Sequence, residues 1–141
     1  MSNSIQGLLE NRHDAGLLLL RLFSGYLMIV NHGYRKITGG PERWERIGGA
    51  MEQFGIDFLP TFWGIMASFS ESVCAFLLIF GLFTLPASFL LSVTMFVAAY
   101  GHVLDGENAE KAFIFGAIYL AVMIMGAGKY SLDRKLFPHL T

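Results

Sequence analysis

Four apolar stretches of near membrane-spanning length leave this chain few ways to fold. They lie at about residues 15–34, 61–83, 86–104 and 110–127, and a helix crosses a hydrocarbon core in ~20 residues. Composition agrees with lipid burial. With 54% hydrophobic and 15% charged residues in 141, there are too few charges to coat a globular surface, a need that a bilayer removes. The first and last stretches are short at their apolar centres, so an interfacial or re-entrant course for one of them is the alternative to four full spans. The opening MSNSIQGLLENRHD lacks the basic region and small-residue cleavage site of a secretory signal, so the first span is expected to be retained.

The connections set the topology. GLFTLPA is too short for anything but antiparallel neighbours, and DGENAE is an acidic turn. The expected fold is all-α: an integral membrane four-helix bundle running up-down-up-down, as a single membrane domain. Asp14, Pro60, Pro86 and Asn108 stand where helix starts are expected. Between spans one and two, at about residues 41–55, Trp44, Ile47, Met51 and Phe54 recur at helical spacing while Glu42, Glu45, Arg46 and Glu52 take the other faces. This predicts an amphipathic interfacial helix with Trp44 at headgroup level; a plain polar loop is the alternative, since Gly48 and Gly49 weaken a helix.

Ionisable residues inside the spans point to function. At membrane depth each costs ~2.5–3.5 kcal/mol on insertion scales and normally faces a partner inside the protein. Arg21 lies ~9 Å in from the terminal side and Glu71 ~18 Å in from that same side at helical rise, so an Arg21–Glu71 ion pair is expected. Ideal helical spacing puts Arg21, Ser24, Gly25, Met28 and His32 on one stripe. Ser68, Glu71, Cys74 and Ala75 form a second, and Ser88, Ser92, Met95, Ala99 and His102 a third; Glu110, Ala117 and Ala121 form a fourth. The intramembrane polar cluster is therefore Arg21, His32, Glu71 and His102, with Lys36, Asp105 and Glu110 at its rim. Glu71 and His102 are the candidate catalytic, proton-handling groups. Each also has a plain structural reading: an Arg–Glu pair can simply fix helix register, and a lone histidine often caps or sits at an interface.

Other chemistries are poorly supported. A net charge of −1 without a basic block removes the footprint of nucleic-acid binding. One cysteine, Cys74, excludes a dithiol within the chain. No Walker loop, dinucleotide fingerprint, GxSxG or HExxH is present, no metal site is expected, and His32 with His102 lack any further haem signature.

The Arg-bearing first span ending in HGYRK, the second span running through Glu71 to LIFGLFT, the third ending near His102, and the closing GAGKYSLDRKL resemble the DoxX-like family of small four-span membrane proteins. The likeness covers about residues 15–136. Where that family commonly carries Gly-Pro-Gly-Arg, this chain has Gly126, Ala127, Gly128 and Lys129. Gly126 and Gly128 are expected to end the fourth helix, and Ser131 to cap a short segment bearing Leu132 and Leu136.

The resemblance implies a redox setting: a membrane subunit supporting quinone-linked electron transfer in an oxidoreductase complex. Quinone is the implied small molecule, and partner subunits or further copies of the chain would share the bilayer. A cofactor-bearing partner would supply the electrons. The alternatives are a non-catalytic assembly or anchoring subunit and a small-solute or proton pathway. Lys and Arg are nearly balanced between the two sides, and the resemblance tips the expectation to a bacterial inner membrane with cytosolic termini.

Overall fold

The computed structural model describes residues 2–139, and among them every regular element is helical. Helix α1 (Ser2–Met28) runs through a π-helical turn at Ile29–Gly33 into α2 (Tyr34–Ile37). Helix α3 (Pro41–Gly48) tightens into a 3₁₀ segment at Gly49–Phe54. The next helix is again interrupted, with α4 (Pro60–Phe69), a π turn at Ser70–Cys74, and α5 (Ala75–Phe80). Then come α6 (Thr84–Leu104), α7 (Glu110–Met125) and the short α8 (Leu132–Leu136).

Among the described residues, three stretches are long and apolar enough to cross a membrane: Asn11–Ile37, Pro60–Phe80 and Thr84–Leu104. Helix α7 has 16 residues, ~24 Å of helix against a hydrocarbon core of ~30 Å. Helix α1 packs on α5 and α7, and α6 packs on α7 and on the π turn of the second span. Leu17, Met28, Leu78, Leu91, Tyr119 and Val122 fill the space between them.

The start signals mostly operate. Pro60 opens α4 and Pro86 lies in the first turn of α6, where a missing N–H leaves no bond unmade. The Asn108 side chain accepts the Glu110 N–H at 2.8 Å. Asp14 departs from expectation: α1 begins well before it, and its carboxylate accepts the Lys129 N–H at 3.0 Å.

The π turns change which faces look inward. Tyr34 N–H bonds the Ile29 carbonyl and Ala75 N–H the Ser70 carbonyl, each five residues back. The extra residue advances the interior stripe of the first span by one. Arg21, Ser24, Gly25 and Met28 are buried as expected, but Gly33 follows them inward and His32 turns out. The second and third stripes hold, except that His102 is half-exposed.

The fourth stripe does not hold. Gly116, Tyr119 and Val122 face inward, while Glu110 and Ala117 are exposed and Ala121 is only half-buried. The large ring of Tyr119 decides the rotation, since it is fully buried with its hydroxyl donating to the Ser24 carbonyl at 3.1 Å.

Segment 41–54 is helical, in two pieces that meet at Gly48 and Gly49. A methyl on Gly48 would collide with the Pro60 carbonyl, and one on Gly64 with the Trp44 carbonyl. α3 therefore crosses α4 with backbones almost touching. Phe54 stacks on Tyr100 with centroids 5.2 Å apart, and Gln53 Nε2 donates to the Val97 carbonyl at 3.3 Å. Ile47 and Met51 line a half-open cavity together with residues of the second and third spans.

Candidate functional site

Glu71 sits on the π turn of the second span, and directly opposite is Gly33, the last residue of the π turn in the first. A methyl on Gly33 would collide with the Glu71 carbonyl oxygen, so only glycine permits this approach. One turn further, Lys36 reaches back across the contact and places Nζ 2.6 Å from Glu71 Oε1. The Trp44 indole N–H donates to the Lys36 carbonyl at 2.9 Å and holds the end of α2. The Glu71 side chain is 1% exposed and that of Lys36 25%. Glu71 Oε2 is buried without a hydrogen-bond partner among the described residues.

The pair opens on a cavity of about 350 Å³, within the ~300–1,000 Å³ range of small-molecule sites. Among the described residues, Lys36 and Glu71 are its only charged lining side chains; Met51, Phe62, Trp63, Met66, Leu90 and Val97 supply much of the rest. Two other polar side chains in the wall are already engaged. Thr94 Oγ1 donates to the Leu90 carbonyl at 2.8 Å, and Trp63 Nε1 to the Phe58 carbonyl at 3.1 Å.

The expected Arg21–Glu71 pair is not formed. Arg21 is fully buried, but its Nη1 donates to the Ala127 carbonyl and its Nη2 to the Tyr130 carbonyl at 2.8 Å. A long cation turns toward the nearer end of its helix, and there the loop after α7 offers carbonyls. Glu71 is met instead from the opposite end of the same span, by a lysine that sequence spacing assigned to the rim.

The Arg21 loop also starts α6. Asp133 Oδ1 accepts the Phe83 N–H at 2.7 Å and Oδ2 the Thr84 N–H at 2.8 Å, while Asp133 N–H donates to the Gly81 carbonyl at 2.9 Å. Gly126 ends α7 at a φ of 84°, and Ser131 Oγ accepts the Arg134 N–H at 3.2 Å as the cap of α8, both as expected.

The remaining site candidates lie apart from Glu71. His102 Nδ1 is 2.7 Å from Glu107 Oε2, with the two side chains 44% and 62% exposed. His32 is exposed. Asp105 ends α6 with its N–H on the Gly101 carbonyl, and Glu110 begins α7. The expected polar column is thus two separate clusters, Lys36–Glu71 and Arg21 with the closing loop. Between them, serines on the stripes donate to carbonyls of their own helices, as Ser24 does to Leu20 and Ser68 to Gly64.

The DoxX family profile matches residues 16–103. The chain belongs to the DoxX family. A DoxX-family chain of this kind is an integral membrane protein, and its three long apolar helices accord with that. It is 33% identical over 138 residues to an uncharacterized protein of Haemophilus influenzae, a match spanning 92% of this chain and 96% of that one. No solved structure matches it. The matched region includes Arg21, Lys36 and Glu71, while the closing GAGKYSLDRKL lies beyond it.

In this DoxX-family protein, sequence reasoning placed Lys36 at the rim and passed over Asp133 and Tyr119. One signal for Asp133 was present. The residue before α6 is Phe83, which offers no side-chain cap, so the free N–H groups of that helix required an acceptor from elsewhere. Among the described residues no three His, Cys, Asp or Glu side chains gather as a metal site would need.

Proposed function

We propose that this protein is a membrane subunit supporting quinone-linked electron transfer, with quinone held in the cavity beside Lys36 and Glu71. The observation that carries this reading is the Lys36–Glu71 ion pair at the edge of an otherwise lipophilic cavity. The residues present fit such a molecule. Met, Phe, Trp and Leu side chains suit a ring and its apolar tail, and one charged pair orients the polar head. Glu71 exchanges protons at the bound head group. His102, paired with Glu107 outside the cavity, exchanges protons with water at the rim. A partner subunit with flavin, haem or sulfur chemistry supplies the electrons.

In this reading α7 is the fourth crossing of an up-down-up-down bundle, α3 and the 3₁₀ segment lie toward the interface, and both termini face the cytosol of a bacterial inner membrane. The family membership and the packing of α7 on α1 and α6 support it. The test is purification of the native assembly in mild detergent, with mass spectrometry for quinone and partner chains. Quinone-dependent turnover of Glu71→Gln is then compared with the unaltered protein. Bound quinone and lost turnover in a folded, assembled Glu71→Gln protein are expected; full turnover removes Glu71 from the mechanism.

A second reading, a non-catalytic assembly subunit, draws on the Arg21 cluster, where a buried cation serves only to join the first span to the closing loop. It predicts an assembly without quinone, lost on Arg21→Ala.

A further inference from the structure

We propose that a second cleft, between the early part of α1, the start of α6 and the closing loop with α8, binds the phosphate head of an anionic bilayer lipid. It stands apart from the quinone reading: this cleft lies by the start of the first apolar stretch, Lys36 near its end. Its volume is about 1030 Å³, at the upper end of what small-molecule sites enclose. The ends of the apolar helices set its height. The first apolar stretch begins at Asn11, the third begins at Thr84, and α7 closes at Met125; His13, Thr84 and Met125 all line the cleft. It therefore sits where hydrocarbon gives way to head groups, and the exposed Tyr130 ring beside Lys129 suits that level.

The lining carries the two kinds of surface that such a lipid needs. Phe83, Leu85, Pro86, Met125 and Phe137 supply apolar area, and Lys129, Arg134 and His13 supply exposed basic groups. The two lining carboxylates are engaged by backbone donors. Asp133 accepts the Phe83 and Thr84 N–H groups on its two oxygens, and Asp14 Oδ1 accepts the Lys129 N–H. Lys129 Nζ donates to Asn11 Oδ1, a neutral amide, and among the described residues neither ion pair includes it. An ammonium has three donors, so two remain for an incoming anion. The Arg134 guanidinium presents a planar fork of the shape that phosphate oxygens accept. A phosphodiester joined to acyl chains meets both surfaces at once, oxygens on the cations and chains over Leu85 and Met125. A free phosphate covers none of the apolar area.

The experiment titrates the full chain in neutral detergent with short-chain phosphatidylglycerol, short-chain phosphatidylcholine and glycerol phosphate, counting bound molecules by native mass spectrometry. Phosphatidylglycerol is expected to bind at least ~tenfold tighter than phosphatidylcholine, an advantage that shrinks as salt rises. Glycerol phosphate should not compete. Lys129→Gln combined with Arg134→Gln should remove the advantage. Lys135→Gln alters an exposed cation of the same short helix outside the cleft, and should keep it. Equal affinity for the two lipids in the unaltered protein would overturn the proposal, whatever the variants do. An equal loss in Lys135→Gln would overturn it too, by reducing the effect to net charge. Competition by glycerol phosphate would make the cleft a site for soluble anions and remove the lipid.

Discussion

Lys36 and Glu71 form an ion pair at 2.6 Å in which the two partners have unequal access to water, 25% exposure for the lysine and 1% for the carboxylate. Breaking it from either side should therefore cost different amounts. Lys36→Met strands a buried charge and is expected to lower stability by ~3 kcal/mol. Glu71→Gln lets the lysine withdraw to water and should cost ~1 kcal/mol. The double variant should resemble Glu71→Gln alone. Thermal unfolding in detergent checks the order, and a costlier Glu71→Gln would contradict it.

The contact between the two π turns depends on the missing side chain of Gly33. Gly33→Ala drives a methyl into the Glu71 carbonyl and should destabilise by ~1–3 kcal/mol. Gly16, in α1 of the same span, has nothing within 4 Å of an added methyl, so Gly16→Ala should be neutral or stabilising by ~0.5–1 kcal/mol. Comparing the two melting temperatures separates the clash from general helix propensity.

Asp133 provides the acceptors for the start of α6. Asp133→Ala removes two bonds to a charged acceptor, at 2.7 and 2.8 Å, and should lower stability by ~2–3 kcal/mol. Hydrogen exchange should quicken first at the Phe83 and Thr84 amides. Unchanged protection there would remove the capping role.

Arg21 ties the first span to residues 126–131. Arg21→Met gives up two bonds to carbonyls, ~1.5 kcal/mol each, and frees the loop. Limited proteolysis should then cut between Gly126 and Ser131 faster than in the unaltered protein. Cutting at the unaltered rate would mean the loop is held by its other bonds, those of Asp14, Ser131 and Asp133.

Much of the fold was legible because hydropathy and helix starts act over whole segments. The long apolar helices, the turn around residues 105–109, the Ser131 cap and the buried faces of the second and third spans all follow from period and punctuation. The first-span face failed at His32 because a π turn adds a residue to the ladder, and no residue type announces that insertion. The fourth face failed because small residues indicate where helices can approach, whereas Tyr119 had more area to bury. At the candidate site Glu71 was found by cost alone. Its partner was misassigned because spacing gives height along a helix but not which of two long cations turns inward.

The acceptors of Arg21 lie 106 and 109 residues further along the chain. Until Ala127 and Tyr130 have been made and packed against it, the Arg21 guanidinium lacks both of these acceptors. The first span is thus completed by residues more than a hundred positions later. A nascent chain stopped short of the closing loop would carry a charged, unsettled helix, a ready mark by which a membrane protease could tell unfinished molecules from finished ones.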